Sequence, residues 1–204
     1  MPAPLTERRR TVTRDDVVRA ALDILDEDGL DGLTMANVAG RVGFTTMAVY
    51  RHVKNRDDLI AAAVELVLGE ISGGDPKVHW LDGVEAWMND VRACLLAHPW
   101  AATRLGTRRE GASAPWARTV QILGRHVSRG PLSARDQARA LAWTTRLTVG
   151  VLILELGAPM SEAAGRRRRA AGRALADELA RLSDDDLFAD AVEQTRRFLL
   201  SMAG

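Results

Sequence analysis

The chain has a single cysteine, Cys94, in 204 residues. That excludes an internal disulfide and any zinc site built on several cysteines. No stretch approaches the roughly 20 uncharged apolar residues that a membrane span needs. The first ten residues, Met-Pro-Ala-Pro-Leu-Thr-Glu-Arg-Arg-Arg, have no apolar run after their basic residues, so no signal peptide is expected. These absences point to the cytoplasm, with no membrane partner. A dominant charge is also missing: 28 Lys+Arg stand against 27 Asp+Glu, a formal charge of +1. Neutrality excludes a strongly non-specific coater of nucleic acid. It leaves room for a local basic face, because screening limits each charge to about 8–10 Å. No Gly-x-Ser-x-Gly, P-loop, Gly-x-Gly-x-x-Gly or His-Glu-x-x-His is present, so no enzyme is expected. His79, His98 and His126 lack the spacing of metal ligands on a helix, and no metal or cofactor is expected. Cys94 lies among Val91, Leu95 and Leu96 and reads as a small buried hydrophobe.

What is there is an ordinary globule, 47% hydrophobic and 27% charged. Glycine and proline fall between segments of helical period, and no stretch alternates like a strand. Thr13, Thr34, Thr45, Asn55, Ser133 and Ser183 each stand where an N-cap belongs. Gly29 is expected to end the first helix near residue 28. Ser72-Gly73-Gly74-Asp75-Pro76 has the composition of a linker and marks the expected domain edge. The first 60 residues are ordered by charge. Seven acids lie between Asp15 and Asp31, and then none occurs from Gly32 to Arg56, where Arg41, Arg51, Lys54 and Arg56 stand. Further on, Arg166–Arg169 is a run of four arginines and reads as a solvated loop or helix face.

The acid-free stretch carries the most informative pattern. Two short helices, from Thr34 and from Thr45, flank Gly43. Helices crossing steeply need a small residue at their close approach, which Ala39 supplies, and a turn residue tolerant of positive φ, which Gly43 supplies. Val49 is placed to bury against the first helix, with Val38, Val42 and Phe44 completing a small core. Ala39, Gly43 and Val49 have the spacing of a helix-turn-helix whose second helix enters the DNA major groove.

On these residues the chain resembles tetracycline-repressor-like (TetR family) regulators. The resemblance covers residues 13–68. It rests on Gly29-Leu-Asp-Gly-Leu-Thr-Met-Ala-Asn-Val-Ala-Gly-Arg-Val-Gly and on Ala48-Val-Tyr-Arg-His-Val-Lys-Asn-Arg-Asp-Asp-Leu-Ile60. It implies an all-α fold with an N-terminal three-helix helix-turn-helix DNA-binding domain and a larger helical ligand-binding and dimerisation domain. The implied division is 1–12 as a basic arm, 13–71 for DNA and 77–204 for sensing and dimerisation. The implied function is a ligand-responsive transcriptional regulator, a repressor that binds a palindromic double-stranded operator as a homodimer and leaves it when a small-molecule effector binds. An activator of the same fold, or a helical adaptor that binds only protein, stands as the alternative. Thr34, Thr45 and Tyr50 offer hydroxyls to phosphates. Lys54 and Arg56 stand where the family places a phosphate-binding cation, and His52 is a further phosphate candidate. Thr46, Met47 and Arg51 are expected to read bases, with Arg51 suited to guanine and Met47 to a thymine methyl. Ala36 and Arg51 depart from the arginine and tryptophan of the tetracycline-repressor subgroup, so a different operator is expected. Arg8–Arg10 form either an arm on the DNA or a solubilising tail.

The C-terminal half contributes two further expectations. The stripes Leu141, Thr145, Thr148, Leu152 and Phe188, Val192, Thr195, Leu199 step by helical spacing and are expected to form a dimer seam. The second faces, Leu147, Val151, Leu154 and Leu187, Ala191, Phe198, are expected to pack on the subunit's own core. All five tryptophans follow the linker. Trp87, Trp100, Trp116 and Trp143, with Arg104, Thr107, Arg146 and Glu155, are the expected ligand-binding residues; a plain core would use the same tryptophans. Leu105-Gly106-Thr107-Arg108 is similar to the subgroup's ligand site, but Arg104 stands where the subgroup has a magnesium-binding histidine. A guanidinium cannot ligate Mg²⁺, so a magnesium–tetracycline effector is not expected.

Overall fold

A computed structural model of the chain describes residues 11–107, 114–156 and 181–204. Arg8–Arg10, Arg108, Arg166–Arg169, most of the helix expected around 173–182 and the side chain of Thr107 lie outside the described residues. All regular structure among the described residues is α-helical. The helices are α1 (Arg14–Gly32), α2 (Met35–Val42), α3 (Thr46–Tyr50), α4 (Arg56–Leu68), α5 (Trp80–Ala97), α6 (Pro99–Thr107), α7 (Ala114–Val127), α8 (Ala134–Glu155) and α9 (Asp184–Ala203). The chain divides into two compact units, Met1–Leu66 and Val67–Gly204.

In the first unit, α1 opens with a reciprocal cap. The Thr13 hydroxyl oxygen accepts from the Asp16 amide at 3.1 Å, and Asp16 accepts from the Thr13 amide at 2.9 Å. Gly29, at φ 69°, breaks the helix as its sequence position suggested, and one more turn of backbone runs on to Gly32. Val17, Ala21, Ile24 and Leu25 of α1 are buried, as are Val38 and Ala39 of α2, Val49 of α3, and Leu59, Ile60 and Ala63 of α4. Thr34 and Thr45 cap α2 and α3 through the amides of Asn37 and Ala48. Gly43 ends α2 at φ 75°, ψ 32°. No atom stands within 4 Å of its missing Cβ. Glycine is therefore required there by the left-handed backbone and not by space. Val42 and Phe44 are only half-buried beside this turn.

In the second unit, α5 packs against α7 and α8, and α8 packs along α9. Trp87, Met88, Val91 and Leu95 of α5 are buried with Leu123 and Val127 of α7, Leu152 of α8 and Leu199 of α9. At Gly83 of α5 an added Cβ would stand 2.0 Å from Nδ1 of His126 in α7. His126 is buried, and burial holds its imidazole below the usual pKa. Cys94 is also buried, its Sγ 3.5 Å from the Val67 carbonyl; burial, aided by Glu70 and Asp90, pushes its thiol up to about 12.

The segment with linker-like composition is tied down. Asp90 accepts from the Ser72 hydroxyl at 2.9 Å and the Gly73 amide at 2.8 Å. Arg129 donates to the carbonyls of Pro76, Lys77 and Val78. A run of glycine, serine and proline looks flexible in sequence, and these distant side chains fix it.

The second unit also corrects the expected dimer seam. Thr148, Leu152, Phe188, Thr195 and Leu199 are at most 3% exposed within one protomer, so they cannot reach a second copy. Leu141, Thr145 and Val192 flank them and are half-buried. These stripes face the interior of the second unit, where α8 packs on α5 and α7 as well as on α9. The face expected to point inward is the open one: Leu154 is 59% exposed and Leu187 42%, with Leu147 and Phe198 half-exposed. Ala191 alone of the α9 set is buried.

Candidate nucleic-acid interface

Five residues make α3, and the cap at Thr45 starts it where hydrophobic periodicity alone would be too short to define a helix. Val49 anchors it from beneath. The rest of the helix is therefore turned outward. Met47 is 71% exposed and Tyr50 48%, large apolar surfaces with no cover in the unit. Thr46 and Arg51 are exposed beside them, as is Lys54, whose amide is bonded to Asp58 at 3.0 Å. His52 is half-buried. The hydroxyl oxygens of Thr34 and Thr45 accept from backbone amides. Each hydroxyl proton remains available for a phosphate oxygen.

The basic stretch is smaller than its sequence suggests. Arg41 is paired in a fork with Glu27 at 3.0 and 2.5 Å. That bond holds the exposed Glu27 carboxyl below its usual range. Arg56 is also engaged: its Nε donates to the Leu33 carbonyl at 2.8 Å, and its Nη2 donates to that of Leu30. This corrects the placement of Arg56 among the phosphate-facing cations, because its donors are taken up by the Leu30 and Leu33 carbonyls at the end of α1. Arg51 and Lys54 have no ion-pair partner among the described residues. Arg51 has its side chain free for a base edge, and Lys54 for the backbone.

The expected ligand residues do not form one site. Trp87 is fully buried, its Nε1 donating to the Thr119 carbonyl at 2.8 Å, with Trp116 tilted against it at 6.2 Å between ring centroids. Trp100 is buried and Arg104 half-buried. Trp143 and Arg146 are both exposed on the outer side of α8, where they line a shallow cleft with Arg139, Leu147 and Phe198. The Trp143 and Phe198 rings are 4.9 Å apart. Glu155 is engaged elsewhere. Its carboxylate, 7% exposed, is closed off by the Arg92 guanidinium at 2.5 Å, and Arg92 reaches Asp185 at the same distance. These bonds raise the Arg92 pKa, Glu155 contributing most. Arg92 escaped the sequence reading. Its signal was a lone arginine in the apolar run around Val91–Leu96, which in a buried helix demands an acid. Among the described residues no group of three or more His, Cys, Asp or Glu side chains is placed to hold a metal ion.

Set beside known proteins, residues 17–63 match the family described as bacterial regulatory proteins, tetR family. The chain is 34% identical over 108 residues to an HTH-type transcriptional regulator of Saccharopolyspora erythraea, covering 52% of this chain and 46% of that protein. It is 34% identical over 143 residues to the class A tetracycline repressor protein from transposon 1721 of Escherichia coli, covering 68% of this chain and 65% of the repressor. The matches thus span between about half and two thirds of these relatives. The fold is that of a TetR transcriptional regulator from Streptomyces coelicolor, with a TM-score of 0.78 and 22% identity over 95% of this chain and 100% of that one.

Proposed function

We propose, from the premise that this chain belongs to the tetR family of bacterial regulatory proteins, that it is a ligand-responsive transcriptional repressor acting as a homodimer on a palindromic operator. The observation that carries this reading is the outward face of α3, where Met47, Tyr50 and the unpaired Arg51 stand between two capping hydroxyls and the unpaired Lys54. Met47 and Arg51 read base edges, Thr46 assists them, and Thr34, Thr45, Tyr50, His52 and Lys54 hold phosphates. The division of labour is residues 13–71 for DNA and 77–204 for sensing and dimerisation. The protein works by binding, in the cytoplasm, where its operator is; no described helix is long and apolar enough to cross a membrane.

The test is a binding selection on randomised duplexes with the full chain. Arg51→Ala is expected to weaken the selected site by about 1–3 kcal/mol and to relax one base position. Lys54→Ala is expected to weaken all sequences alike and lower the salt slope by about 1.8, about 0.9 for each of the two copies. An unchanged base preference in Arg51→Ala would refute the reading of α3.

For the dimer, the open side of α8 and α9 is the surface to cover. Trp143, Leu154 and Leu187 are each more than 40% exposed there. A helix apolar on two sides packs on its own core and on something else, and a second copy supplies the same two helices. Leu154→Ala removes on the order of 0.5–1 kcal/mol of apolar burial per copy, so the dissociation constant is expected to rise about tenfold. Sedimentation equilibrium measures it, and an unchanged constant would remove Leu154 from the interface.

The effector is a compound other than a magnesium–tetracycline chelate, and Arg104 is the residue that meets it. Arg104 favours an anionic or carbonyl-bearing molecule. Quenching of tryptophan fluorescence by a compound that also releases the operator supports this. Release by magnesium–tetracycline would overturn it.

A further inference from the structure

We propose that Arg56 is a positioning residue for DNA binding: it acts through Thr34 and does not itself contact phosphate. The inference rests on the reading that Thr34 meets the DNA backbone. It starts from two hydrogen bonds. Nε of Arg56, the first residue of α4, donates to the Leu33 carbonyl at 2.8 Å, and Nη2 donates to the Leu30 carbonyl. Those carbonyls lie in the last turn of α1 and at its C-cap, Leu33, where helical donors run out. Asn37 of α2 takes the neighbouring one, donating from Nδ2 to Gly32 at 2.8 Å. The Leu33 amide closes back on the Leu30 carbonyl at 3.3 Å, and the Leu33 side chain is 1% exposed.

The turn from α1 to α2 is therefore held from two directions, by burial of Leu33 and by the guanidinium fork. The next residue is Thr34. Its backbone is extended, at φ −124° and ψ 154°, and its hydroxyl oxygen and carbonyl accept from the amides of Asn37 and Val38 at 3.1 Å each. Any freedom at Leu33 passes directly to the Thr34 hydroxyl and to the first turn of α2. A planar fork can bridge two carbonyls three residues apart and hold their relative orientation. An ammonium delivers the same charge as a point and cannot reproduce the fork. Lys54, two residues before Arg56, has no ion-pair partner among the described residues, so the phosphate role at this corner already has an occupant.

The two roles make opposite forecasts for Arg56→Lys. A phosphate contact survives the change of cation, whereas a fork does not. The experiment uses the full chain and the duplex that the wild type selects, with binding followed by fluorescence anisotropy across a salt series. Arg56→Lys and Arg56→Ala are both expected to lose about tenfold in affinity, with the wild-type salt slope retained. Thr34→Ala is expected to weaken the wild type and to have little further effect in Arg56→Lys. Thr45→Ala is expected to weaken both backgrounds equally, a contrast that a general loss of stability would not produce. Wild-type affinity in Arg56→Lys, or a slope lower by about 1.8 in Arg56→Ala alone (about 0.9 per copy), means a phosphate contact and overturns the proposal. Equal effects of Thr34→Ala in the two backgrounds overturn it too.

Amide exchange in the absence of DNA separates this failure from failure of the DNA reading. In Arg56→Lys the amides of Asn37 and Val38 are expected to exchange at least tenfold faster, with those of Ile24 and Leu25 unchanged. Unchanged exchange at Asn37 and Val38 overturns the positioning role whatever the chain binds. A wild-type chain that selects no duplex refutes the DNA reading, and the role of Arg56 falls with it.

Discussion

Arg92→Met is expected to destabilise the second unit by about 3–5 kcal/mol. The reason is what remains. Glu155 is 7% exposed and meets the guanidinium at 3.2, 3.1 and 2.5 Å. Without Arg92 its largely buried charge loses the cation that offsets its desolvation. Asp185, 83% exposed, loses little, because water takes over. The aromatic contact is lost as well: the Arg92 guanidinium carbon lies 4.8 Å from the Phe188 ring centroid. The double variant Arg92→Met/Glu155→Leu is expected to recover most of the stability, because a buried pair replaced by packed apolar groups is about neutral. Thermal unfolding followed by circular dichroism reads both variants. A single variant as stable as the wild type, or a double variant no better than the single, would contradict the account.

Gly83→Ala comes next, at a cost of about 3 kcal/mol. Helix propensity by itself favours the change by roughly 1 kcal/mol. Geometry overrides that gain. The new Cβ would stand 2.0 Å from Nδ1, 2.5 Å from Cγ and 2.6 Å from Cε1 of His126. The obstacle is a rigid ring, 3% exposed and enclosed between α5 and α7, so it cannot swing aside as the tip of a lysine can. Overpacking of this kind costs about 1–3 kcal/mol and occasionally more. A clash involving three ring atoms belongs at the upper end. At about 2–4 °C per kcal/mol, the melting temperature is expected to fall by roughly 6–12 °C. His126→Ala should rescue part of the loss, since it clears the space that the methyl needs. A Gly83→Ala protein that melts at or above the wild-type temperature would mean that α5 and α7 separate freely.

These two sites show which part of the structure could be read along the chain. The caps were legible because each acts within three residues. Thr13, Thr34, Thr45, Ser133 and Ser183 all accept from the amide three positions on. The left-handed Gly43 and the buried Val49 were legible for the same reason, and the outward face of α3 followed from them. Partners far along the chain were not. Arg92 and Glu155 are separated by 63 residues, and nothing local tells an arginine which acid will meet it. Arg56 reached back 23 residues to a carbonyl, and carbonyls leave no mark in a sequence. The two apolar faces of α8 have the same period and similar composition. The positions of α5, α7 and α9 around α8 decide that Thr148 and Leu152 point in while Leu154 points out.

Cys94 has a practical consequence. Its thiol is buried on the Val67 carbonyl and pushed up to about 12, so at neutral pH it holds almost no thiolate, the form that reacts. Oxidants and maleimides should pass it by while the fold is intact. The wild-type background is then already silent to thiol chemistry. A cysteine placed on the exposed face of α3 or on the outer side of α8 would be the only reactive thiol in the chain. A fluorophore or spin label could report on either surface without first removing Cys94, whose burial helps to hold α5 in place.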